Sequence, residues 1–239
     1  MISDERRYEF EAAIRRDLPR SVLVEVKAQF PVAAEQADVA VRTSHSAVAN
    51  GLPLSRRRQS RSVGIFRHNI IDEAFEQILA RHGAEFVKSV PVEYSPDEIR
   101  QSPVHVTTGV FGQTMVGFAS HREVLDAPVK NASRRALCHQ NRGLSPDFFH
   151  PLEMFSDRQR MVLIMVRRDP TALGKIASMT IGIVDSKLEN FIYQADIDEF
   201  LAGYGVESVA HAKRAVVLKS VKRGFKDTQS GSGRNEAEK

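Results

Sequence analysis

The sequence predicts an α+β protein: a helical N-terminal region, a mainly antiparallel sheet of four to six strands with flanking helices, then a basic C-terminal helix and a flexible tail. Three observations carry this. Apolar residues recur at helical spacing up to Gly83, and from there the period shortens to that of strands. The later strands are joined only by short turn signals, "DPTALG" and "SKLE", as antiparallel connections allow. No strand-helix-strand rhythm or internal repeat occurs, which argues against a doubly wound sheet. The chain divides accordingly into a helical region at 1–50, an arginine-rich linker at 51–68, an α+β core at 69–205, a basic helix at 206–227 and a disordered tail at 228–239.

Residues 4–16, "DERRYEFEAAIRR", read as a helix whose sparse apolar positions leave its buried face open. Residues 18–30 support two readings, because Val22, Val24 and Val26 alternate as on a strand while Val22, Val26 and Phe30 recur as on a helix. "PVAAEQADVAVRTSHSAVANG" is helical, with Pro31 placed for a first turn and Gly51 for a C-terminal cap. After the linker comes "NIIDEAFEQILARHG", where Ile71, Ala74, Phe75, Ile78 and Leu79 form one apolar face closed by Gly83.

Beyond Gly83, "EFVKSVPVEY" suggests a strand interrupted by Pro91, and Ser95 to Glu98 have the spacing of a capping box opening a short helix. "VHVTTGVFGQTMVGFASH" is expected to be a β-hairpin, since Gly112-Gln113 supplies the glycine-first loop of a type II′ turn. In that register His105 and His121 point to opposite faces and cannot share a metal; both are expected at an edge or the surface. "NASRRALCHQN" and "SPDFF" read as short helices, "RMVLIMVRR", "SMTIGIVD" and "NFIYQA" as strands, and Asp196 with Glu199 as the cap of "IDEFLAGYG". The basic helix carries Lys219, Lys222, Arg223 and Lys226 along one stripe.

Composition narrows the function classes. Hydrophobic residues at 42% and charged residues at 27% are those of a globular chain rather than a disordered one. The longest apolar runs, such as Met161 to Val166, are too short to span a bilayer, and the N-terminus is charged where a signal peptide needs an apolar stretch, so a cytoplasmic protein is expected. The one cysteine, Cys138, excludes an internal disulfide and reads as a small buried residue. No metalloenzyme histidine spacing, GxSxG elbow, P-loop or dinucleotide fingerprint occurs.

The net charge of +4 is unevenly placed. The first 212 residues carry 26 basic and 27 acidic side chains, and the last 27 carry 8 and 3. Within the neutral body three windows hold no acid at all: Val39 to Ile71 with six arginines, Ala127 to Pro146 with four basic residues, and Arg158 to Arg168 with four arginines. Guanidinium forks and ammonium groups pair with phosphate oxygens, giving affinity with little sequence readout. The expectation is a nucleic-acid-associated protein gripping the phosphate backbone with an arginine-rich loop, Arg56, Arg57, Arg58 and Arg61, and with Lys219, Lys222 and Arg223 of the C-terminal helix. Arg134, Arg135, Arg167 and Arg168 form a second rank.

Two alternatives stand beside it. Asp169 ends one strand and Asp185 the next, 16 residues later, with Lys187 two positions beyond. "RRDP" followed by "IGIVDSK" resembles, over about 20 residues, the hairpin of PD-(D/E)xK nucleases in order and spacing. The resemblance implies a divalent-metal nuclease, with Asp169 and Asp185 as Mg2+ ligands and Lys187 positioning water; Mg2+ enters only with that reading. Asp169 at a strand end and Ser186 between acid and lysine depart from the pattern and equally suit turn chemistry. The other alternative is a regulatory module whose basic blocks meet an acidic protein partner, and the hairpin could extend a sheet across a homo-oligomer.

Overall fold

A computed structural model describes residues 4–47, 55–95, 98–121, 126–144, 159–172 and 174–205. The chain separates into two units, Met1–Ala202 and Gly203–Lys239, and every element described belongs to the first. The expected basic helix at 206–227 and tail at 228–239 lie outside the described residues, as do Gly51 and "SPDFF".

Three helices open the chain: α1 (Asp4–Asp17), α2 (Arg20–Ala47) and α3 (Arg56–Arg81). The ambiguous segment 18–30 is helical from Arg20 onward. Val22, Val26 and Phe30 are fully buried together while Val24 is 42% exposed, so the 3.6-residue period prevails over the alternation. Pro31 does not begin a helix but sits inside α2, where it removes one backbone hydrogen bond and costs about 3 kcal/mol. Burial of Ala33, Ala34, Ala37 and Val41 beyond it continues the same apolar stripe and offsets that cost.

The stretch expected as an arginine-rich loop is instead helical from Arg56, so the helix expected from Asn69 begins 13 residues earlier. The reason is a buried stripe that continues N-terminally at four-residue spacing: Val63, Arg67, Ile71 and Phe75, followed by Ile78 and Leu79. Arginine is itself a good helix former, and no proline or β-branched run interrupts residues 56–62.

Among the described residues the sheet has six strands, β1 (Glu85–Phe86), β4 (Thr108–Phe111), β5 (Thr114–His121), β6 (Arg160–Arg168), β7 (Ile176–Val184) and β8 (Phe191–Asp196), adjacent in that order. All neighbours are antiparallel except β5 and β6, which run parallel. A separate hairpin joins β2 (Ser89–Ser95) to β3 (Glu98–Pro103). Ser95 pairs with Glu98 across it, so this is a strand connection and not the expected helix start. Residues 89–92 alternate between exposed and at least half-buried, the period of a strand, whereas Ile99, the apolar residue just after Glu98, is 66% exposed and offers no helical face.

The β4–β5 hairpin has the expected register, with Phe111 opposite Thr114. Gly112 has φ +57° and Gln113 has no positive φ, as a type II′ turn requires. Pairing begins at Thr108, leaving His105 outside the strand and exposed. The hairpin is not a free edge, because β1 flanks β4 and β6 flanks β5. His121 therefore lies on an internal strand and is buried, contrary to its expected edge position.

Strands β5 and β6 are covered on both faces. Met115, Ala119, Met161, Leu163 and Met165 pack in a cluster with Val90 of β2 and with Leu137 and Cys138 of α4 (Ala132–Cys138). On the other face Phe118 meets Phe30 of α2 and Phe75 of α3, with ring centroids 5.7 and 5.6 Å away. A short helix, α5 (Ile197–Ala202), follows β8, and Asp196 Oδ1 caps it by accepting from the Asp198 amide at 2.8 Å. Among the described residues no helix is long and apolar enough to cross a membrane.

Candidate anion-binding cavity

The N-terminal half of α3 turns a second face away from the core. Arg57, Ser60, Arg61, Gly64 and His68 recur at three- and four-residue intervals and line a cavity of about 990 Å3, with Arg67 at the border of this face and the buried stripe. The facing wall comes from the C-terminal ends of the two parallel strands, Ser120 and His121 of β5 and Arg168 of β6. Asp126 to Asn131 and Arg134, at the start of α4, close it. Each of the three acid-free windows thus contributes arginine to one cavity: Arg57, Arg61 and Arg67 from the first, Arg134 from the second and Arg168 from the third. Among the described residues, Asp126 is the one carboxylate residue in the lining.

The five guanidiniums differ in their surroundings. Arg57, Arg61 and Arg168 are exposed, Arg134 is half-buried, and Arg67 is only 5% exposed. Burial, reinforced by the like charge of Arg168, pushes the Arg67 guanidinium down to about 10, which still leaves it charged at neutral pH. Burial lowers Arg134 as well. Asn131 Oδ1 accepts the Arg134 amide at 2.7 Å and caps α4, while the Arg134 Nη1 donates to the Val129 carbonyl at 3.2 Å and its buried Nε has no hydrogen-bond acceptor among the described residues. None of the ion pairs of the described residues involves Arg57, Arg61, Arg134 or Arg168. Clustered cations with few carboxylates among them favour an anion, since each desolvated charge lowers its cost by pairing.

Of the residues singled out in the sequence, Arg57 and Arg61 line the cavity and Arg58 is exposed outside it. Arg56 begins α3, and Lys219, Lys222 and Arg223 lie outside the described residues. Of the second rank, Arg134 and Arg168 are in the lining, Arg135 is exposed elsewhere, and Arg167 Nε donates to Ser178 Oγ at 3.1 Å. Arg67, His68 and His121 were not foreseen. Arg67 and His68 were legible only once the arginine stretch is read as a helix, because they then fall two to three turns beyond Arg57 and Arg61.

The structure does not bring Asp169, Asp185 and Lys187 together as a metal site. Asp169 lies beside the start of β7, where its amide donates to the Lys175 carbonyl, and Asp185 follows the end of that strand. The nine residues of β7 separate them by about 30 Å, far beyond the reach of one cation. Each carboxylate instead organises its own turn. Asp169 Oδ1 accepts from the Thr171 amide and hydroxyl at 2.7 and 2.6 Å, and Asp185 Oδ1 from the Lys187 and Glu189 amides at 3.1 and 2.9 Å. Lys187 is an exposed residue of that second turn. Among the described residues no group of three or more His, Cys, Asp or Glu is placed to hold a metal.

One other polar constellation escaped the sequence. His82 contacts Glu25 Oε2 through Nε2 at 2.9 Å and Ser21 Oγ through Nδ1 at 3.2 Å. The order resembles a hydrolytic triad, but Arg81 also binds Glu25, and Ser21 is exposed on α2, so the contacts serve to join α2 to the end of α3. No family model, curated protein or solved structure matched the chain.

Proposed function

We propose that the chain is a cytoplasmic, nucleic-acid-associated protein that holds a phosphate backbone in the cavity between α3 and the parallel strands. The observation that carries this reading is the convergence of arginines from three separate acid-free windows on one cavity. A volume of about 990 Å3 is of the size that takes compact ligands, about 300–1,000 Å3, so it suits a single strand rather than the side of a duplex or a broad acidic protein face. Ile65 and Val129, 53% and 68% exposed, add apolar surface to the lining against which base faces can rest. Lys219, Lys222 and Arg223 belong to the same reading as auxiliary backbone contacts, on sequence grounds alone.

The test is a salt titration of binding to a single-stranded oligonucleotide of mixed sequence. Neutralising about three to five phosphates predicts a log–log slope of about −2 to −3.5. An affinity independent of salt, or no binding at low ionic strength, contradicts the reading.

A further inference from the structure

The cavity is graded: Arg57, Arg61 and Arg168 are exposed to solvent, whereas Arg67 is buried and Arg134 half-buried with its Nε enclosed. An internal phosphodiester carries one negative charge and is flanked by sugars on both sides, so it fits the exposed guanidiniums. A terminal phosphomonoester carries about −1.5 to −2 charges at neutral pH, has three unhindered acceptor oxygens and is attached on one side only. That is the group the recessed side of the cavity, lined by buried Arg67 and half-buried Arg134, can receive. From this gradation we infer that the cavity is a seat for the phosphorylated end of a nucleic-acid strand, with the terminal phosphomonoester at Arg67 and Arg134 and the next phosphates at Arg57, Arg61 and Arg168. The inference rests on the nucleic-acid reading above and specifies its ligand.

Burial supports the assignment, since desolvation already pushes both inner guanidiniums below the ordinary arginine value and a dianion reverses that penalty more fully than a monoanion. Arg134 lines the cavity, and its buried Nε has no acceptor among the described residues, on a helix start that Asn131 caps; a phosphate oxygen there would satisfy that donor.

The experiment compares the full chain's affinity for one internally labelled single-stranded oligonucleotide prepared in three forms, 5′-phosphorylated, 3′-phosphorylated and with hydroxyls at both ends. The expected result is binding about tenfold or more tighter for one of the phosphorylated forms than for the hydroxyl form, the preferred end naming the strand polarity. Arg134→Met is expected to remove that advantage, while Arg57→Ala lowers all three affinities alike. Equal, salt-dependent affinities for all three forms of the oligonucleotide overturn the terminal seat and leave the nucleic-acid reading standing. Failure to bind any form overturns both. The comparison on the unaltered chain decides the matter even if a variant folds poorly.

Discussion

Arg134 separates two roles that are usually read together from sequence. Its amide is tied to Asn131 Oδ1 and fixes the start of α4, while the residue lines the cavity and its buried Nε has no acceptor among the described residues. Because the cap uses only the backbone amide of Arg134, Arg134→Met is expected to change stability by no more than about 1 kcal/mol, the lost hydrogen bond to the Val129 carbonyl being offset by removal of a desolvated charge. The same variant is expected to lose most of the thermal stabilisation that inorganic pyrophosphate gives the unaltered chain. A variant that unfolds more readily but keeps that stabilisation would assign Arg134 to the fold alone. Cys138, by contrast, is buried away from the cavity lining. Burial, with the charge of Asp185 adding to it, pushes its thiol up to about 12, so the thiolate is scarce at neutral pH. Thiol reagents are expected to label Cys138 only after denaturation, and rapid labelling of the native chain would contradict its burial.

At the scale of elements, α3 joins core and cavity. Gly64 lies inside this helix, and a β-carbon there would meet Arg168 Nη1 at 3.9 Å, an ordinary contact. Gly64→Ala is therefore expected to stabilise the protein by about 0.5–1 kcal/mol in chemical denaturation, and a loss of stability would show that α3 is strained at this point. Helix α1 is held differently. Asp17 Oδ2 accepts from the Thr114 hydroxyl at 3.1 Å and pairs with the buried guanidinium of Arg160, whose Nε donates to the Thr114 hydroxyl at 2.9 Å. Burial alone would raise the Asp17 carboxyl, but the hydrogen bond from Arg16 and the charge of Arg160 hold it below the usual carboxylate range. A lowered value means that the ionised form favours the fold. Its contribution is complete above the unfolded value of about 3.9 and is lost as pH falls through the lower folded one. Asp17→Ala leaves Arg160 buried without its charge partner and is expected to cost about 3–5 kcal/mol at neutral pH, with a shallower acid transition. A variant of unchanged stability and acid response would show that the pair contributes nothing to the fold.

At the scale of the whole molecule, the α+β class and the three long apolar strands were legible because their patterns are local: a period of two, short turn signals, and a glycine-first hairpin that fixes its own register. What was not legible is pairwise in space. The parallel contact of β5 with β6 joins segments separated by some 40 residues, and it buries His121 and brings Arg168 beside α3. The helix over the arginine stretch was not legible for a related reason. Its polar residues hide a buried stripe that runs through Arg67, a charged residue at a core position, and only tertiary packing shows that the period continues. The cavity therefore joins three windows whose sequence positions say nothing about one another. This convergence is the central claim, and substituting arginines inside and outside the cavity tests it most directly. Arg57→Ala, Arg61→Ala and Arg168→Ala are each expected to weaken single-stranded oligonucleotide binding by about tenfold, whereas Arg58→Ala and Arg135→Ala, exposed but outside the lining, change it by less than about twofold. A uniform loss across all five variants would mean that general basic charge, and not this cavity, holds the ligand.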